Sequence, residues 1–130
     1  MYNLKVESHF DSAHRLPDHP GKCRRLHGHR WKVIASLTVP DSCLSGTTGM
    51  VLDFGDFKKA LRSITEELDH RCLNDFLKLP TAENLAWWIW ERVASALGNM
   101  HPHLPIEAGL SILIDESPGC RVTYSKGGSW

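Results

Sequence analysis

Apolar and polar residues alternate along two segments near the start of the chain. Residues 4–10 read LKVESHF and residues 29–39 read HRWKVIASLTV. Side chains at every second position of an extended chain share one face, so both segments are predicted to be half-buried β-strands. The stretch between them, residues 15–26, contains two prolines and a glycine and is predicted to be a loop.

The middle of the chain carries its apolar residues at helical spacing instead. Over residues 53–70 they recur at steps of three and four, which predicts an amphipathic helix that ends near Asp69. A second helix is predicted over residues 80–98, with Thr81 as its N-cap and Gly98 as its stop.

The last segment, residues 109–125, returns to strand-like patterns on both sides of the turn sequence SPG. The element order is therefore strand, strand, helix, helix, strand, strand. Because neighbouring strands with short connections pair antiparallel, this order predicts an α+β fold, a four-stranded antiparallel sheet with two helices on one face. The open edges of so small a sheet favour pairing between copies, so we expect a homo-oligomer.

Length and charge restrict the class of protein. A chain of 130 residues is expected to form a single domain, residues 1–130. Its 15 basic and 15 acidic side chains give no net charge, which argues against nucleic acids and membrane surfaces as partners. The first residues lack the layout of a secretion signal, so we expect a cytoplasmic protein whose four scattered cysteines are free thiols.

The eight histidines are the unusual feature of the composition, and two of them stand in the sequence CRRLHGH, residues 23–29. His27 and His29 lie on the same face at the start of the second strand, and an antiparallel return brings His14 to the same end of the sheet. Three convergent imidazoles with an open fourth position are typical of catalytic zinc. The alternative is that all three are ordinary surface or core residues and that Cys23 is an idle loop thiol.

Five motifs follow one another along the chain: FDSAHRL, CRRLHGH, LDHRCLND, PTAEN and a late DES. Together they resemble the 6-pyruvoyl-tetrahydropterin synthase family, which includes the bacterial 6-carboxytetrahydropterin synthases. The resemblance implies the tunnelling fold (T-fold), in which trimers close their sheets into a barrel and two trimers stack into a homohexamer. It also implies Zn²⁺ as the cofactor and 7,8-dihydroneopterin triphosphate as the substrate.

The resemblance further implies a role for each matching residue. In the family, the motif histidines bind zinc, the cysteine before them accepts a proton together with an Asp-His pair, and a late glutamate anchors the pterin ring. On this chain the implied zinc ligands are His14, His27 and His29, the implied catalytic residues are Cys23, Asp69, His70 and Glu116, and the implied substrate-binding residues are Thr81, Glu83 and Glu116.

The resemblance is not complete at every position. Ala82 stands where relatives often carry a hydroxyl group, which leaves only a backbone contact to the pterin there. A third branch of the family uses a glutamate as base, and Cys23 argues against that branch. The triphosphate needs positive charge nearby, for which the candidates are Arg15, Lys22, Arg24 and Arg25.

The favoured function is that of a zinc-dependent lyase that converts the substrate to 6-carboxy-5,6,7,8-tetrahydropterin, with release of acetaldehyde and triphosphate, in queuosine biosynthesis. The first alternative is a 6-pyruvoyl-tetrahydropterin synthase, which only eliminates triphosphate. The second is a non-catalytic zinc- or pterin-binding module, in which the Asp-His pair is merely a helix end. A zinc hydrolase would carry H-E-x-x-H, which is not present. Four further histidines are expected to be surface residues: His9, His19, His101 and His103.

Overall fold

The computed structural model describes residues 1–127 of the chain. Two long strands open the fold, two long helices follow with a short strand between them, and a β-hairpin closes it. The elements are β1 (Tyr2–His14), β2 (His27–Val39), α1 (Phe54–Leu68), β3 (Arg71–Cys72), α2 (Ala82–Met100), α3 (Ile106–Gly109), β4 (Leu110–Ser117) and β5 (Cys120–Ser125).

The strands form one sheet in the order β3-β1-β2-β4-β5. The four long strands pair antiparallel, as predicted, and the α+β class is confirmed. The strand count of four is wrong, because β3 adds two residues that pair parallel to β1. A strand of two residues is too short to leave an alternating pattern, so the sequence carried no sign of it.

Both long helices cover the same face of the sheet. Even-numbered residues of β1 and odd-numbered residues of β2 point toward the helices, and those in the middle of the strands are buried. Trp31 is fully buried among them, and its Nε1 donates a hydrogen bond to the carbonyl oxygen of Ser12, 3.1 Å away. The opposite face of β1 is polar, with exposed side chains such as Lys5, Glu7 and His9.

The ends of the helices follow ordinary capping rules. Thr81 caps α2 as predicted, since its hydroxyl group accepts a hydrogen bond from the amide of Asn84 at 3.2 Å. The predicted stop at Gly98 is wrong, because α2 continues to Met100. It ends before Pro102, consistent with the restriction that proline places on the preceding residue. Within residues 1–127, no helix combines the length and the apolar character needed to cross a membrane.

The register of the first two strands decides what lies at the end of the sheet. His14 pairs with His27, and Ser12 pairs with His29. His14 and His27 form the last pair of this ladder, beside the loop that joins the two strands. The pairing therefore brings three histidines to one corner of the helix-covered face.

Candidate metal centre and active site

The three predicted zinc ligands lie side by side at this corner. The rings of His14 and His27 are 4.5 Å apart, those of His27 and His29 are 4.8 Å apart, and those of His14 and His29 are 5.2 Å apart, measured between centroids. Alternation along β2 and the β1–β2 register together produce this arrangement, because each places its side chain on the same face of the sheet.

Backbone carbonyl groups fix the orientation of two of the rings. Nδ1 of His14 lies 2.8 Å from the carbonyl oxygen of Pro80, and Nδ1 of His27 lies 2.7 Å from that of Arg25. A carbonyl oxygen can only accept, so Nδ1 carries the proton in each ring and Nε2 carries the free lone pair. Metal-binding histidines are usually held in this way.

The Nε2 atoms of all three histidines are buried, and within residues 1–127 none of them makes a hydrogen bond of good geometry, although a carboxylate oxygen lies 3.2 Å from Nε2 of His29. Such unsatisfied buried atoms call for an explanation, and a bound cation satisfies all three at once. Burial is also the main reason that the pKa values of His14 and His29 are lowered from 6.5, which keeps the imidazoles neutral, as metal ligands must be. The residues therefore fit a divalent metal such as zinc.

Glu116 brings a carboxylate to the same corner. Its Oε1 lies 3.2 Å from Nε2 of His29 and 3.9 Å from Nε2 of His14. Together with His27, these residues offer four ligand atoms within 4.8 Å of one another. Glu116 is thus placed where it could reach a metal ion, whereas the family resemblance implies only catalytic and substrate-binding roles for it.

Trp31 forms the buried wall of the centre. Its ring packs edge-on against His14 at 5.0 Å and against His29 at 5.2 Å, and its other neighbour on β1 is the stacked ring of Phe10. The bulk of the indole ring keeps the two imidazoles from turning toward the core. The alternation along β2 sets Trp31 on the same face as His27 and His29, so its place beside them follows from the strand pattern.

The Asp69–His70 pair directly follows α1 and is tied to β1. Oδ1 of Asp69 accepts a hydrogen bond from the amide of Asp11 at 2.8 Å, and the amide of His70 donates to the carbonyl oxygen of Asp11 at 2.7 Å. His70 has φ = 55°, in the left-handed region that few non-glycine residues adopt, and its side chain is 81% exposed. Its ring and His29 line the same open surface depression.

Cys23 lies in a 3₁₀ turn, Lys22–Arg24, within the loop that joins β1 to β2. The thiol is partly buried, and the carbonyl oxygen of Cys23 accepts a hydrogen bond from the amide of Leu16 at 2.9 Å. Within one copy of residues 1–127, no hydrogen bond joins this thiol to the three histidines or to the Asp69–His70 pair. The loop nevertheless places Cys23 four residues before the first histidine of β2.

The other predicted contacts lie at the start of α2. Thr81 serves as the cap of that helix, and Glu83 is exposed in its first turn. The buried carbonyl group of Pro80, next to Thr81, connects this helix start to His14. His101 was expected on the surface, but it is partly buried at the end of α2, where its Nε2 lies 3.3 Å from Oδ2 of Asp56.

The match to a known family agrees with this geometry. A family model described as "6-pyruvoyl tetrahydropterin synthase" matches residues 3–127. The chain belongs to this family. The resemblance carried by the five motifs is therefore confirmed, and lyase-type pterin synthase chemistry is the activity that this family supports.

Individual relatives in the family differ in their described activities. A Synechocystis sp. protein described as 6-carboxy-5,6,7,8-tetrahydropterin synthase is 41% identical over 100 residues, which cover 74% of this chain and 78% of that protein. A Pyrococcus furiosus protein described as dihydroneopterin monophosphate aldolase is 36% identical over 88 residues, which cover 68% of this chain and 71% of that protein.

The solved structure of Caenorhabditis elegans 6-pyruvoyl tetrahydropterin synthase superposes on almost the whole fold. Its TM-score is 0.80 at 27% identity, and the match covers 98% of this chain and 96% of that one. The architecture is thus that of pterin synthases, while the relatives leave more than one reaction open within the family.

The first prediction concerns metal binding. The purified chain is expected to hold one zinc ion, and His27→Gln is expected to weaken its affinity for zinc by more than about 100-fold, since loss of a second-shell partner alone costs 10–100-fold. Metal analysis and chelator competition measure this. His103→Gln, which changes an exposed histidine outside the cluster, is the matched control. Equal zinc affinity in both variants would contradict the three-histidine site.

The second prediction concerns the metal-free chain at lower pH. Because burial lowers the pKa values of His14 and His29, the unfolded chain takes up protons below pH 6.5 before the folded chain does. The free energy of unfolding should therefore fall as the pH is lowered from 7.5 to 5.5, a range above ordinary carboxyl titration. Thermal unfolding of wild type and His29→Gln measures the effect, and the variant should depend less on pH. A steeper dependence in the variant would refute the explanation.

Proposed function

We propose that the protein is a zinc-dependent 6-carboxytetrahydropterin synthase. It would convert 7,8-dihydroneopterin triphosphate to 6-carboxy-5,6,7,8-tetrahydropterin and release acetaldehyde and triphosphate. The observation that carries this proposal is the convergence of three buried, unpartnered Nε2 atoms beside a carboxylate. Membership in a pterin synthase family, with a relative described by this activity, gives the substrate class.

His14, His27 and His29 would hold the zinc ion. When bound, zinc would supply Lewis acidity that makes C–H bonds beside the side-chain oxygens of the substrate easier to deprotonate. The part of the protein is to orient these imidazoles, which the carbonyl groups of Pro80 and Arg25 do for two of them.

Proton transfer at carbon needs a base and a second group that passes protons on. We assign Cys23 as the proton acceptor, since it stands four residues before His27, the place of the proton acceptor in the family motif. The second group is His70, whose imidazole has one ring nitrogen that accepts a proton and one that donates a proton. Asp69 holds it, with Oδ2 of the carboxylate 3.5 Å from Nε2 of the ring.

Recognition of the pterin falls to groups near the metal centre. Glu116 can accept hydrogen bonds from the amino-pyrimidine edge of a pterin, while Thr81 and Glu83 lie at the start of α2, next to the carbonyl group that holds His14. The triphosphate would be bound by exposed cations of the β1–β2 loop: Arg15, Lys22, Arg24 and Arg25.

Assembly into trimers, and of two trimers into a hexamer, is part of the proposal. Residues 2–10 of β1 pair with β2 on one side, and the short strand β3 does not extend along their other side, which forms one edge of the sheet. The strand β5 forms the opposite edge. Pairing of these edges between copies would complete the sheet, since exposed edges favour association. The Cys23 thiol of one copy could then meet the His70 ring of another. We place the assembled enzyme in the cytoplasm.

Two other reactions compete with the proposed one. The C. elegans neighbour is a 6-pyruvoyl tetrahydropterin synthase by description, and the P. furiosus relative is described as an aldolase. A non-catalytic zinc- or pterin-binding module is the alternative of another class. Cys23 and the Asp69–His70 pair favour an enzyme over such a module, because a module that only holds zinc needs neither.

The third prediction separates the enzyme from the module. Cys23→Ala is expected to keep its zinc and to lower turnover of 7,8-dihydroneopterin triphosphate by about 100-fold or more, as expected when a general base is lost. Cys43→Ala is the matched control, because Cys43 is also partly buried in a 3₁₀ turn. Undiminished turnover would show that the base is another group, and loss of zinc would show that Cys23 is a ligand.

The fourth prediction identifies the reaction. Zinc-loaded protein incubated with the substrate should release acetaldehyde and triphosphate in equal amounts, as a coupled aldehyde assay and ion chromatography can measure. Triphosphate without acetaldehyde would point to the pyruvoyl reaction. Aldol cleavage would instead leave a phosphorylated two-carbon aldehyde, which mass spectrometry distinguishes from acetaldehyde.

A further inference from the structure

Residues 69–74, here called the docking segment, run alongside the end of β1 that carries His14. At its start, Asp69 and His70 take up both backbone hydrogen-bonding groups of Asp11. The strand β3 then pairs with the next two residues of β1. The docking segment thus follows β1 residue by residue toward the metal centre.

Asn74 continues this pairing after the backbone has turned away. The chain enters a 3₁₀ turn at Leu73–Asp75, so it no longer lies parallel to β1. Instead, Oδ1 of Asn74 accepts a hydrogen bond from the amide of Arg15 at 2.9 Å, and Nδ2 donates to the carbonyl oxygen of Arg15 at 3.0 Å. One carboxamide has the same donor and acceptor as a peptide group, so Asn74 replaces a missing residue of the strand.

The two hydrogen bonds between Asn74 and Arg15, here called the carboxamide clamp, lie at an important point of the strand. Arg15 is the first residue beyond the β1–β2 ladder, whose last pair is His14 with His27. The ends of strands open most easily, so release of Arg15 would allow fraying to reach His14. The next residue, Leu16, donates its amide hydrogen to the carbonyl oxygen of Cys23.

We propose that Asn74 is a positioning residue for the metal centre. By holding Arg15 it fixes the backbone of His14 on one side and, through Leu16, the turn that carries Cys23 on the other. Because the docking segment also begins with the Asp69–His70 pair, one continuous set of backbone contacts aligns the proposed ligand, base and proton carrier. This role rests on the proposed function.

Asn74 is suited to a positioning role because, within residues 1–127, its side chain has only one further hydrogen bond, a long one of 3.7 Å from Sγ of Cys72 to Oδ1. Its side chain is only partly buried and Arg15 is exposed, so water can replace the lost hydrogen bonds when Asn74 is changed. The ring of His14 keeps its own hydrogen bond to Pro80. A variant at Asn74 should therefore fold and still carry all three histidines, with their backbone less well fixed.

The fifth prediction is a graded loss of zinc affinity. Asn74→Ala removes both hydrogen bonds to Arg15, together with the weak one from Cys72, and should raise the dissociation constant for zinc about tenfold, the lower end of second-shell effects. Asn74→Asp keeps the acceptor for the amide of Arg15 but sets a carboxylate oxygen against its carbonyl group, so it should not restore the affinity. Chelator competition measures both, with Asn99→Ala, an exposed asparagine in α2, as the matched control.

A second readout follows the turn that carries Cys23. Hydrogen exchange of the Leu16 amide, which Asn74 does not contact, should become at least several-fold faster in Asn74→Ala than in wild type or Asn99→Ala. If Asn74 held only Arg15, the exchange rate of the Leu16 amide would stay unchanged, and this result would refute the proposed hold on the turn that carries Cys23. If zinc affinity and Leu16 exchange both equal those of wild type, Asn74 has no positioning role.

The two proposals fail in different ways. Wild-type protein that binds no zinc overturns the proposed function, and exchange of the Leu16 amide in that metal-free chain still decides whether Asn74 holds the turn. Wild-type protein that binds zinc, with an Asn74→Ala variant that binds it equally well and protects Leu16 equally, leaves the proposed function in place and refutes the role of Asn74.

Discussion

The antiparallel register of β1 and β2 is the constraint on which the candidate site depends. A side chain on a strand has only two directions, so a shift of the pairing by one residue would move every side chain of one strand to the other face. The apolar residues of both strands, with Trp31 fully buried among them, hold the register against such a shift. The same register sets His14 beside His27. Core packing and ligand geometry are therefore fixed by one set of pairings.

The helices act on the site through their ends more than through their faces. The segment before α2 supplies the carbonyl group of Pro80 to His14, and the segment after α1 supplies Asp69 and His70 to β1. Buried apolar residues of α1 and α2 fix these ends against the sheet. This arrangement explains how a loop-like segment can hold His70 in a conformation that a free chain would rarely adopt.

Local patterns were sufficient to predict the long elements and the grouping of three histidines, because alternation and antiparallel return act over short stretches of sequence. They were not sufficient for Glu116. Alternation along β4 places Glu116 on the same side as Ile112 and Ile114, and a charged residue on that side was a detectable signal. Its distance from His29 depends on the pairing of β4 with β2, two strands that are far apart in sequence and whose register no local pattern reveals.

The same limit applies to contacts made by backbone groups. The carbonyl group of Pro80 and the carboxamide clamp of Asn74 depend on where separate segments dock, which binary patterning does not encode. The family resemblance supplied roles for residues such as Asp69 and His70, but it gave no reason for their place beside β1. The structure supplies that reason. The docking segment adds the two residues of β3 to the sheet, and the side chain of Asn74 then pairs with the backbone of Arg15.

The electrostatics of the corner also bear on the role of Glu116. Two imidazoles, His14 and His27, direct the lone pairs of their Nε2 atoms at a corner that also holds the carboxylate of Glu116, so this concentration of electron-rich atoms favours a bound cation. Three histidines leave the full double charge on zinc, whereas a fourth, anionic ligand would reduce it and occupy the open position that catalysis needs. The centre needs its charges balanced and also needs an open ligand position. Glu116 can meet both needs if it neutralises the centre in the absence of substrate and turns to the pterin when substrate binds. The carboxylate is partly exposed, with 27% of its side chain accessible, so such a turn is not blocked by packing.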